Sequence, residues 1–235
     1  MSTGTGTRDE QRSTELSVVI PTWNERERLP HLLATLDGAD EVVVADAHSP
    51  DGTADVAREF GARVVFSKLG RGTQLARGAA ASSGGLIVVL HADCWLEPGS
   101  LAAVRQAFRD PELAAAGMRQ RVDCTGRAYR KIERTADARV RRGWVYGDSG
   151  LAVRRTAYEA AGGFPDIPLF EDLELSKALQ KVGKIELVEG ATLVLSPRRW
   201  QRHGVVRQTL RNRALVLAWK LGLSPERLAR AYPVS

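Results

Sequence analysis

Long apolar runs and cysteines are both scarce in this sequence of 235 residues. The longest uninterrupted apolar stretch covers residues 214–219, whereas a helix that crosses a bilayer needs about 20 apolar residues. No membrane-spanning segment is therefore predicted. The two cysteines, Cys94 and Cys124, form no CxxC pair and indicate neither a zinc site nor a disulfide framework. Because the first fifteen residues lack the apolar core of a secretion signal, we expect a disordered tail over residues 1–15 and a cytoplasmic protein.

Acidic residues are missing from one long segment near the C-terminus. Residues 190–225 contain no Asp or Glu but seven Arg and Lys residues, and the whole chain has a formal net charge of +6. Such a segment suits a phosphate-bearing partner, such as a small nucleotide, an anionic membrane or a nucleic acid, although a solvated helix face has the same pattern. The sequence contains no known nucleic-acid-binding motif. We therefore expect no nucleic-acid partner, while peripheral contact with the inner face of a membrane through the basic C-terminus stays open.

Short runs rich in Val, Ile and Leu predict four buried strands in the first part of the chain. The strands are expected at residues 16–20, 41–45, 63–66 and 86–90. Amphipathic or alanine-rich patterns between them predict helices at residues 29–36, 53–60 and 73–83. The first helix follows Asn24 and Glu27, whose spacing is typical of a capping box. This alternating order predicts an α/β fold with a mostly parallel central sheet flanked by helices, and ligands bind at the carboxyl ends of such strands.

The second half of the chain has a less regular pattern. Helices are predicted at residues 100–108, 128–140, 171–182, 205–221 and after Ser224-Pro225, and strands at 150–154 and 187–195. One side of the helix at 205–221 is apolar and consists of Leu210, Ala214, Leu217 and Leu221. No repeat or linker divides the chain, so a single domain is expected over residues 16–235. Residues 16–97 would form its nucleotide-binding half, and residues 98–235 its acceptor and catalytic half with a basic helical C-terminus.

Acidic residues recur where predicted strands end. The first strand continues into Pro21 and Glu25, the second into Asp46, and the fourth into His91 and Asp93. A single strand-end aspartate is commonly a helix cap. Acidic residues at three of the four strand ends favour one shared binding crevice.

Five motifs in order resemble those of family 2 glycosyltransferases. They read LSVVIPTWNERERLPHLLATL, VVVADAHSPDGTADVA, VVLHADCWLEPG, GGFPDIPLFEDLEL and RRW. The resemblance covers about residues 16–232 and is nearest to small bacterial members associated with arsenosugar or radical-SAM gene clusters. It implies a GT-A fold and a hexosyltransferase that transfers sugar, with inversion, from a UDP- or GDP-sugar to an acceptor hydroxyl. The acceptor would be a small molecule, a glycan or a lipid-linked molecule, and the cofactor Mg²⁺ or Mn²⁺.

Residues near the nucleotide follow from this resemblance. It implies that Pro21, Glu25 and Asp46 border the base and ribose, where a carboxylate accepts hydrogen bonds from N–H and hydroxyl groups. It also places Arg71 and Gln74 near the nucleotide, although a plain loop at the start of a helix explains these two residues almost as well.

The metal site is also implied by the resemblance. The tripeptide His91-Ala92-Asp93 stands where the family has its Asp-x-Asp motif, so the first aspartate is replaced by His91. Asp93 is the expected ligand, because Mg²⁺ and Mn²⁺ prefer oxygen and bridge to a diphosphate with few protein contacts. His203 is a candidate further ligand, as in GT-A enzymes with a late histidine, whereas His91 either binds the metal or packs.

Basic residues of the C-terminal segment are expected to bind the leaving diphosphate. Arg198 and Arg199 are the main candidates, with Arg202 beside them, because guanidinium groups match phosphate geometry. Trp200 lies among them and offers a ring that stacks on a sugar or packs in the fold. A solvated helix face is the alternative.

The pair Glu171-Asp172 begins a predicted helix, where acidic residues are favourable in any protein. In the family this pair supplies the catalytic base, and Asp172 is the expected base here, with Glu171 as its neighbour in the site. A carboxylate in that position deprotonates the acceptor hydroxyl. Asp148 either binds acceptor hydroxyls or forms a turn.

Two other classes of function stay open. Replacement of the first motif aspartate by His91 is compatible with an inactive relative, and the same fold also occurs in nucleotidyltransferases. A basic domain that binds nucleic acid or an anionic membrane is the second alternative.

Overall fold

The computed structural model describes residues 14–231, without the side chains of Arg199, His203, Arg230 and Ala231. Most of the predicted N-terminal tail, residues 1–13, therefore lies outside the described residues. The strands are β1 (Leu16–Thr22), β2 (Glu41–Asp46), β3 (Arg63–Phe66), β4 (Leu86–Val89), β5 (Cys94–Leu96), β6 (Leu113–Val122), β7 (Ala152–Arg154) and β8 (Lys184–Leu195). The helices are α1 (Leu29–Leu33), α2 (Thr53–Glu59), α3 (Arg71–Ala81), α4 (Ser100–Ala107), α5 (Arg127–Val140), α6 (Arg155–Ala160), α7 (Glu171–Leu179), α8 (Arg198–His203), α9 (Val205–Lys220) and α10 (Pro225–Ala231).

These strands form one sheet in the order β3-β2-β1-β4-β7-β6-β8-β5. Four of the seven pairings are parallel, including all those among β1 to β4. The predicted α/β fold with a mostly parallel sheet flanked by helices is thus confirmed. Register aligns the strand ends, because Thr22 pairs with Asp46 and Asp46 pairs with Phe66. Side chains that follow β1, β2 and β3 consequently lie at one edge of the sheet.

Apolar clusters cover both faces of the sheet. Along β1, Val18 and Ile20 belong to one cluster, whereas Val19 belongs to the other. This explains the continuous apolar runs of β1, β2 and β4, which are buried on both sides. The prediction of β3 as a buried strand was wrong, since it lies at the edge of the sheet and none of its residues is buried. A third cluster joins the start of α7 to α9 and α10 through Leu169, Phe170, Leu173 and Leu228.

Several predicted elements differ from those observed. The capping box at Asn24 and Glu27 was wrong, since α1 begins only at Leu29 and its N-cap residue, Arg28, makes no side-chain cap. The loop before α1 is instead bound to the loop after β2, where the N–H of Asn24 donates to Ser49 Oγ at 2.9 Å. Strands β5 and β6 and helices α6 and α8 were not predicted, and the strand predicted at 187–195 begins earlier, at Lys184.

No helix within residues 14–231 has the length and apolar character needed to cross a bilayer.

Candidate active site

The first two strand ends are tied together by a buried carboxylate. Asp46 is fully buried, and its Oδ1 accepts hydrogen bonds from Thr22 Oγ1 at 2.9 Å and Ser49 Oγ at 2.6 Å. Its Oδ2 accepts the N–H of Ser49 at 2.7 Å. Asp46 therefore fixes the loops after β1 and β2 through its own side chain. A direct contact with a nucleotide stays a prediction.

Gln74 performs a similar task from α3. It is buried, and its side-chain amide donates to the backbone oxygens of Thr22 at 2.8 Å and Ala45 at 2.9 Å. Its Oε1 accepts the N–H of Gly70 at 3.3 Å. The amide group is thus bound by the chain's own backbone, which supports the alternative of a structural loop at the start of α3.

Asp93 and Arg198 both lie within electrostatic range of Glu25. Burial raises the pKa of Glu25 above its ordinary value and the charge of Asp93 adds to this, while Arg28 and Arg198 act in the opposite direction. Arg28 forms an ion pair with Glu25 at 2.5 Å. The end of β4 and the start of α8 therefore both lie near the loop after β1, while a shared role of these residues in donor binding stays a prediction.

Strand β5, which the sequence did not predict, is what brings Asp93 to α8. Cys94 pairs with Leu195 in the antiparallel ladder of β5 and β8. The N–H of Ser196 donates to the backbone oxygen of Asp93 at 3.2 Å. Asp93 therefore lies beside the segment that continues into Arg198. The side chains of Arg199 and His203, also predicted site residues, lie outside the described part of the chain.

The described side chains offer no complete metal site of their own, so a cation at Asp93 would need a bound diphosphate to complete its shell and stays a prediction. Among them no group of three or more His, Cys, Asp and Glu residues could hold a metal ion. Mg²⁺ in nucleotide sites commonly takes one or two carboxylates and completes its shell with phosphate oxygens and water. A partly exposed Asp93, with the carboxylate of Glu25 in electrostatic range, matches that requirement.

Asp172 is held in a fixed orientation by two backbone N–H groups. It is 7% exposed. Its Oδ2 accepts the N–H of Gly147 at 2.6 Å, and its Oδ1 accepts the N–H of Leu173 at 2.8 Å. Phe170, just before the pair Glu171-Asp172, has left-handed backbone with φ of 68°. The third apolar cluster holds this conformation, since the Phe170 ring centroid lies 5.9 Å from that of Trp219.

Three non-glycine residues of the described chain have left-handed backbone, and two of them follow strand ends. They are Asn24 after β1, His48 after β2 and Phe170 before α7. Such conformations cost of order 1–3 kcal/mol each and cluster at functional sites. The pattern supports the assignment of the functional site to the strand ends.

Gly147 is the point where the motif at the end of β4 meets Asp172. A Cβ at this position would lie 2.8 Å from His91 Nε2 and 3.2 Å from Asp172 Oδ2. Only glycine therefore allows the backbone to pass between these two side chains. Asp148 of this segment was predicted from the sequence, but Gly147 was not, because the need for glycine arises from its contacts with His91 and Asp172, which are distant in the sequence.

Glu171 is paired with Arg71 at the start of α3. Arg71 Nε donates to Glu171 Oε1, while Oε2 is buried without a hydrogen-bond partner among the described atoms. Burial raises the pKa of Glu171 and the charge of Asp172 adds to this, against the effect of Arg71. Glu171 is 1% exposed. The pair therefore ties α3 to α7, and Asp172 is the more accessible carboxylate.

Asp148 forms an ion pair on the other side of Gly147. Arg139 Nη2 lies 2.7 Å from Asp148 Oδ1, and its guanidinium lies 3.8 Å from the centre of the Tyr146 ring. Although desolvation acts in the opposite direction, the charge of Arg139 and a hydrogen bond from Ser149 lower the pKa of Asp148. Arg139 was not identified from the sequence, since arginines are frequent in α5.

Trp200 packs edge-on against Tyr129, with ring centroids 6.3 Å apart.

Solved structures share this arrangement of strands and define the fold as GT-A. A mannosyltransferase from Pyrobaculum calidifontis, solved with GDP-Man and Mn²⁺, matches 77% of this chain and 56% of its own, with a TM-score of 0.61 and 22% identity. Glucosyl-3-phosphoglycerate synthase from Mycobacterium tuberculosis, solved with Mn²⁺, UDP and phosphoglyceric acid, matches 95% of this chain and 85% of its own, with a TM-score of 0.59 and 20% identity.

The family is established by sequence. The model of Glycosyl transferase family 2 matches residues 17–164, more than half of the chain. A dolichol-phosphate mannosyltransferase of Pyrococcus furiosus is 32% identical over 116 residues, or 45% of this chain and 33% of the relative. The chain thus spans about a third of the length of this curated relative. It belongs to glycosyl transferase family 2, which confirms the predicted glycosyltransferase.

Proposed function

We propose that this chain transfers a sugar from a UDP- or GDP-sugar to an acceptor hydroxyl, with inversion at the anomeric carbon and Asp172 as general base. The main support for this proposal is that Gly147 lies between His91, which follows β4, and Asp172. His91 at the end of β4 and Asp172 in α7, which are distant in the sequence, thus lie on either side of one backbone segment.

In the proposed reaction, Asp172 accepts the proton of the acceptor hydroxyl. The acceptor oxygen bonds to the anomeric carbon, and the bond between that carbon and the diphosphate oxygen breaks. Because Gly147 and Leu173 donate to the carboxylate, its orientation is set before the acceptor binds. Glu171 contributes to catalysis by its pairing with Arg71, which fixes the start of α7 against α3.

Donor binding is assigned to residues 16–97 together with the start of α8. Pro21, Glu25, Asp46, Arg71 and Gln74 form or support the nucleotide side of the crevice. A divalent cation, Mg²⁺ or Mn²⁺, would bind at Asp93 with His203 as a candidate further ligand, and it would neutralise charge on the leaving diphosphate. Arg198 and Arg199 are assigned to the same diphosphate. The GDP-Man, UDP and Mn²⁺ of the similar solved structures support this class of donor and cofactor.

Residues 98–235 are assigned to the acceptor and catalytic half of the domain. We further propose that the donor carries a hexose and that the protein acts in the cytoplasm. It would belong to the subgroup associated with arsenosugar or radical-SAM gene clusters. The acceptor classes are small molecules, glycans and lipid-linked molecules.

Release of nucleoside diphosphate tests the proposal directly. The chain is incubated with a panel of UDP- and GDP-sugars, Mn²⁺ and candidate acceptors, and free UDP or GDP is measured. Turnover is expected with one donor and is expected to require an acceptor. Nucleotidyl transfer would instead release pyrophosphate from a nucleoside triphosphate, and no turnover with any donor would support the inactive relative.

Gly147→Ala is expected to reduce sugar transfer on the order of 10²-fold, since its Cβ would displace His91 or Asp172 and small displacements at a reacting centre have effects of that size. Unfolding is followed by circular dichroism to separate misplacement from loss of the fold. Gly162→Ala is a suitable control, because a Cβ there meets nothing within 4 Å although its positive φ also disfavours alanine. Sugar transfer by Gly147→Ala at the wild-type rate would contradict the assigned role of Gly147.

A further inference from the structure

The apolar side of α9 faces outward. Four large apolar residues on it are strongly exposed, namely Val206 at 71%, Leu210 at 60%, Leu217 at 58% and Leu221 at 74%. At 100° per residue they fall, with Ala214, within an arc of about 80°. The opposite side of the helix packs in the third apolar cluster through Leu215, Val216, Ala218 and Trp219. The exposed stripe therefore lies on a helix that is already anchored to the domain.

Basic residues border this stripe on both sides. By helical position, Arg213 and Lys220 lie along one edge and Arg207 and Arg211 along the other. Arg207, Arg213 and Lys220 are exposed. The surrounding segment, residues 190–225, contains no Asp or Glu. Because its inner side is also apolar and packs in the domain, α9 is not an ordinary amphipathic helix. Its outer surface, an exposed apolar stripe between two basic rows, nevertheless complements both the acyl boundary and the phosphates of an anionic membrane.

We propose that α9 docks the protein on an anionic lipid surface, with Val206, Leu210, Ala214, Leu217 and Leu221 in the boundary between headgroups and acyl chains. The bordering Arg and Lys side chains would then reach the lipid phosphates. An anionic lipid surface matches the whole stripe, because its acyl chains contact the apolar residues and its phosphates pair with the basic ones.

A second copy of the chain fits this surface less well. Two α9 stripes placed face to face would bring basic rows close together, and residues 190–225 offer no carboxylate to pair with them. A nucleic acid would match the basic rows but not the aliphatic residues between them, since single-stranded nucleic acids use aromatic platforms.

Docking would place the candidate active site near the membrane surface. Trp219 Nε1 donates to Glu174 Oε1 at 2.9 Å, so the inner side of α9 is bound to α7 two residues beyond Asp172. This consequence, which rests on the proposed function, favours a lipid-linked acceptor. The docking itself does not depend on sugar transfer.

Vesicle co-sedimentation of the full chain without donor tests the docking alone. Vesicles of phosphatidylcholine are compared with vesicles of equal parts phosphatidylcholine and phosphatidylglycerol. We expect binding to the anionic vesicles only, with weaker binding as salt is raised. Absence of binding, or equal binding to both vesicles, would overturn the proposal whatever the outcome of the transferase assay.

Two pairs of substitutions separate the apolar and charged contributions. Leu210→Ser with Leu217→Ser is expected to lower the partition coefficient by at least about tenfold, whereas the exposed control pair Phe60→Ser with Val182→Ser should not change it. Arg207→Gln with Arg213→Gln should lower it roughly fivefold per charge, in contrast to the control pair Arg109→Gln with Lys181→Gln.

Light scattering tests whether a second copy of the chain, rather than lipid, covers the stripe. If the wild type is a dimer that Leu210→Ser with Leu217→Ser separates, the stripe is a contact between copies and the membrane proposal is wrong. If the leucine pair fails to fold by circular dichroism, the arginine pair alone decides: unchanged binding to anionic vesicles would also overturn the proposal.

Discussion

Asp172→Asn is expected to retain binding of the donor and metal while sugar transfer falls by roughly 10²- to 10⁴-fold, the usual effect of losing a general base. Asparagine has nearly the size of aspartate but cannot accept a proton at neutral pH. Transfer is measured as release of UDP or GDP, and donor binding by calorimetry. The difference between the two measurements separates catalysis from binding.

The hydrogen bonds of Asp172 predict a further effect of the same substitution. Both carboxylate oxygens accept backbone N–H groups, from Gly147 and Leu173. An asparagine has one acceptor oxygen, so its NH₂ group would face one of these donors, and a modest loss of thermal stability should accompany the loss of transfer. Asp37→Asn, at an exposed position, is the matched control and should change neither quantity.

Glu171→Gln addresses the neighbouring carboxylate. If Asp172→Asn still transfers sugar within about fivefold of the wild type while Glu171→Gln does not, the base is Glu171 and the assignment is wrong. Loss of activity in both variants, with donor binding lost only in Glu171→Gln, would fit the pairing of Glu171 with Arg71.

The parallel part of the fold was predictable because each element carries its own local pattern. Strands β1, β2 and β4 contain continuous apolar runs that are buried where both faces of the sheet are covered, whereas β3 is a short apolar run at the sheet edge. In contrast, β6 reads Leu-Ala-Ala-Ala-Gly at its start, and alanine favours helix over strand. Its pairing with β7 and β8 overrides that preference. Strand β5 is three residues long and is defined only by its pairing with β8.

For the site, as for the fold, local sequence patterns were informative, whereas contacts between distant segments were not predictable. Parallel topology explains why Glu25 and Asp93, which follow different strands, lie within electrostatic range of each other, while the roles assigned to Asp93, Glu25 and Asp172 stay predictions. Sequence patterns do not reveal what a buried polar group binds. The use of Asp46 and Gln74 within the chain, and the passage of Gly147 between two side chains, depend on contacts between distant segments.

Asp93→Ala is expected to weaken binding of UDP or GDP in the presence of Mn²⁺ by at least about tenfold, which corresponds to about 1.4 kcal/mol. The reason is the small set of protein ligands. Because the described residues offer no cluster of three metal-binding side chains, a cation at this site would depend on Asp93 and on the diphosphate itself. Removal of Asp93 should therefore affect metal and nucleotide together.

Chelation provides the second arm of this experiment. In the wild type, removal of Mn²⁺ should weaken binding of the diphosphate to the same extent as Asp93→Ala. In the variant, chelation should have little further effect, since two changes that remove one interaction are not additive. Asp37→Ala, at an exposed position before the start of β2, should respond to chelation like the wild type. If chelation leaves diphosphate binding to the wild type unchanged, or if Asp93→Ala responds to Mn²⁺ as the wild type does, the cation is not held by Asp93. The diphosphate would then have to be bound by arginines alone, with Arg198 and Arg199 as the residues to change next.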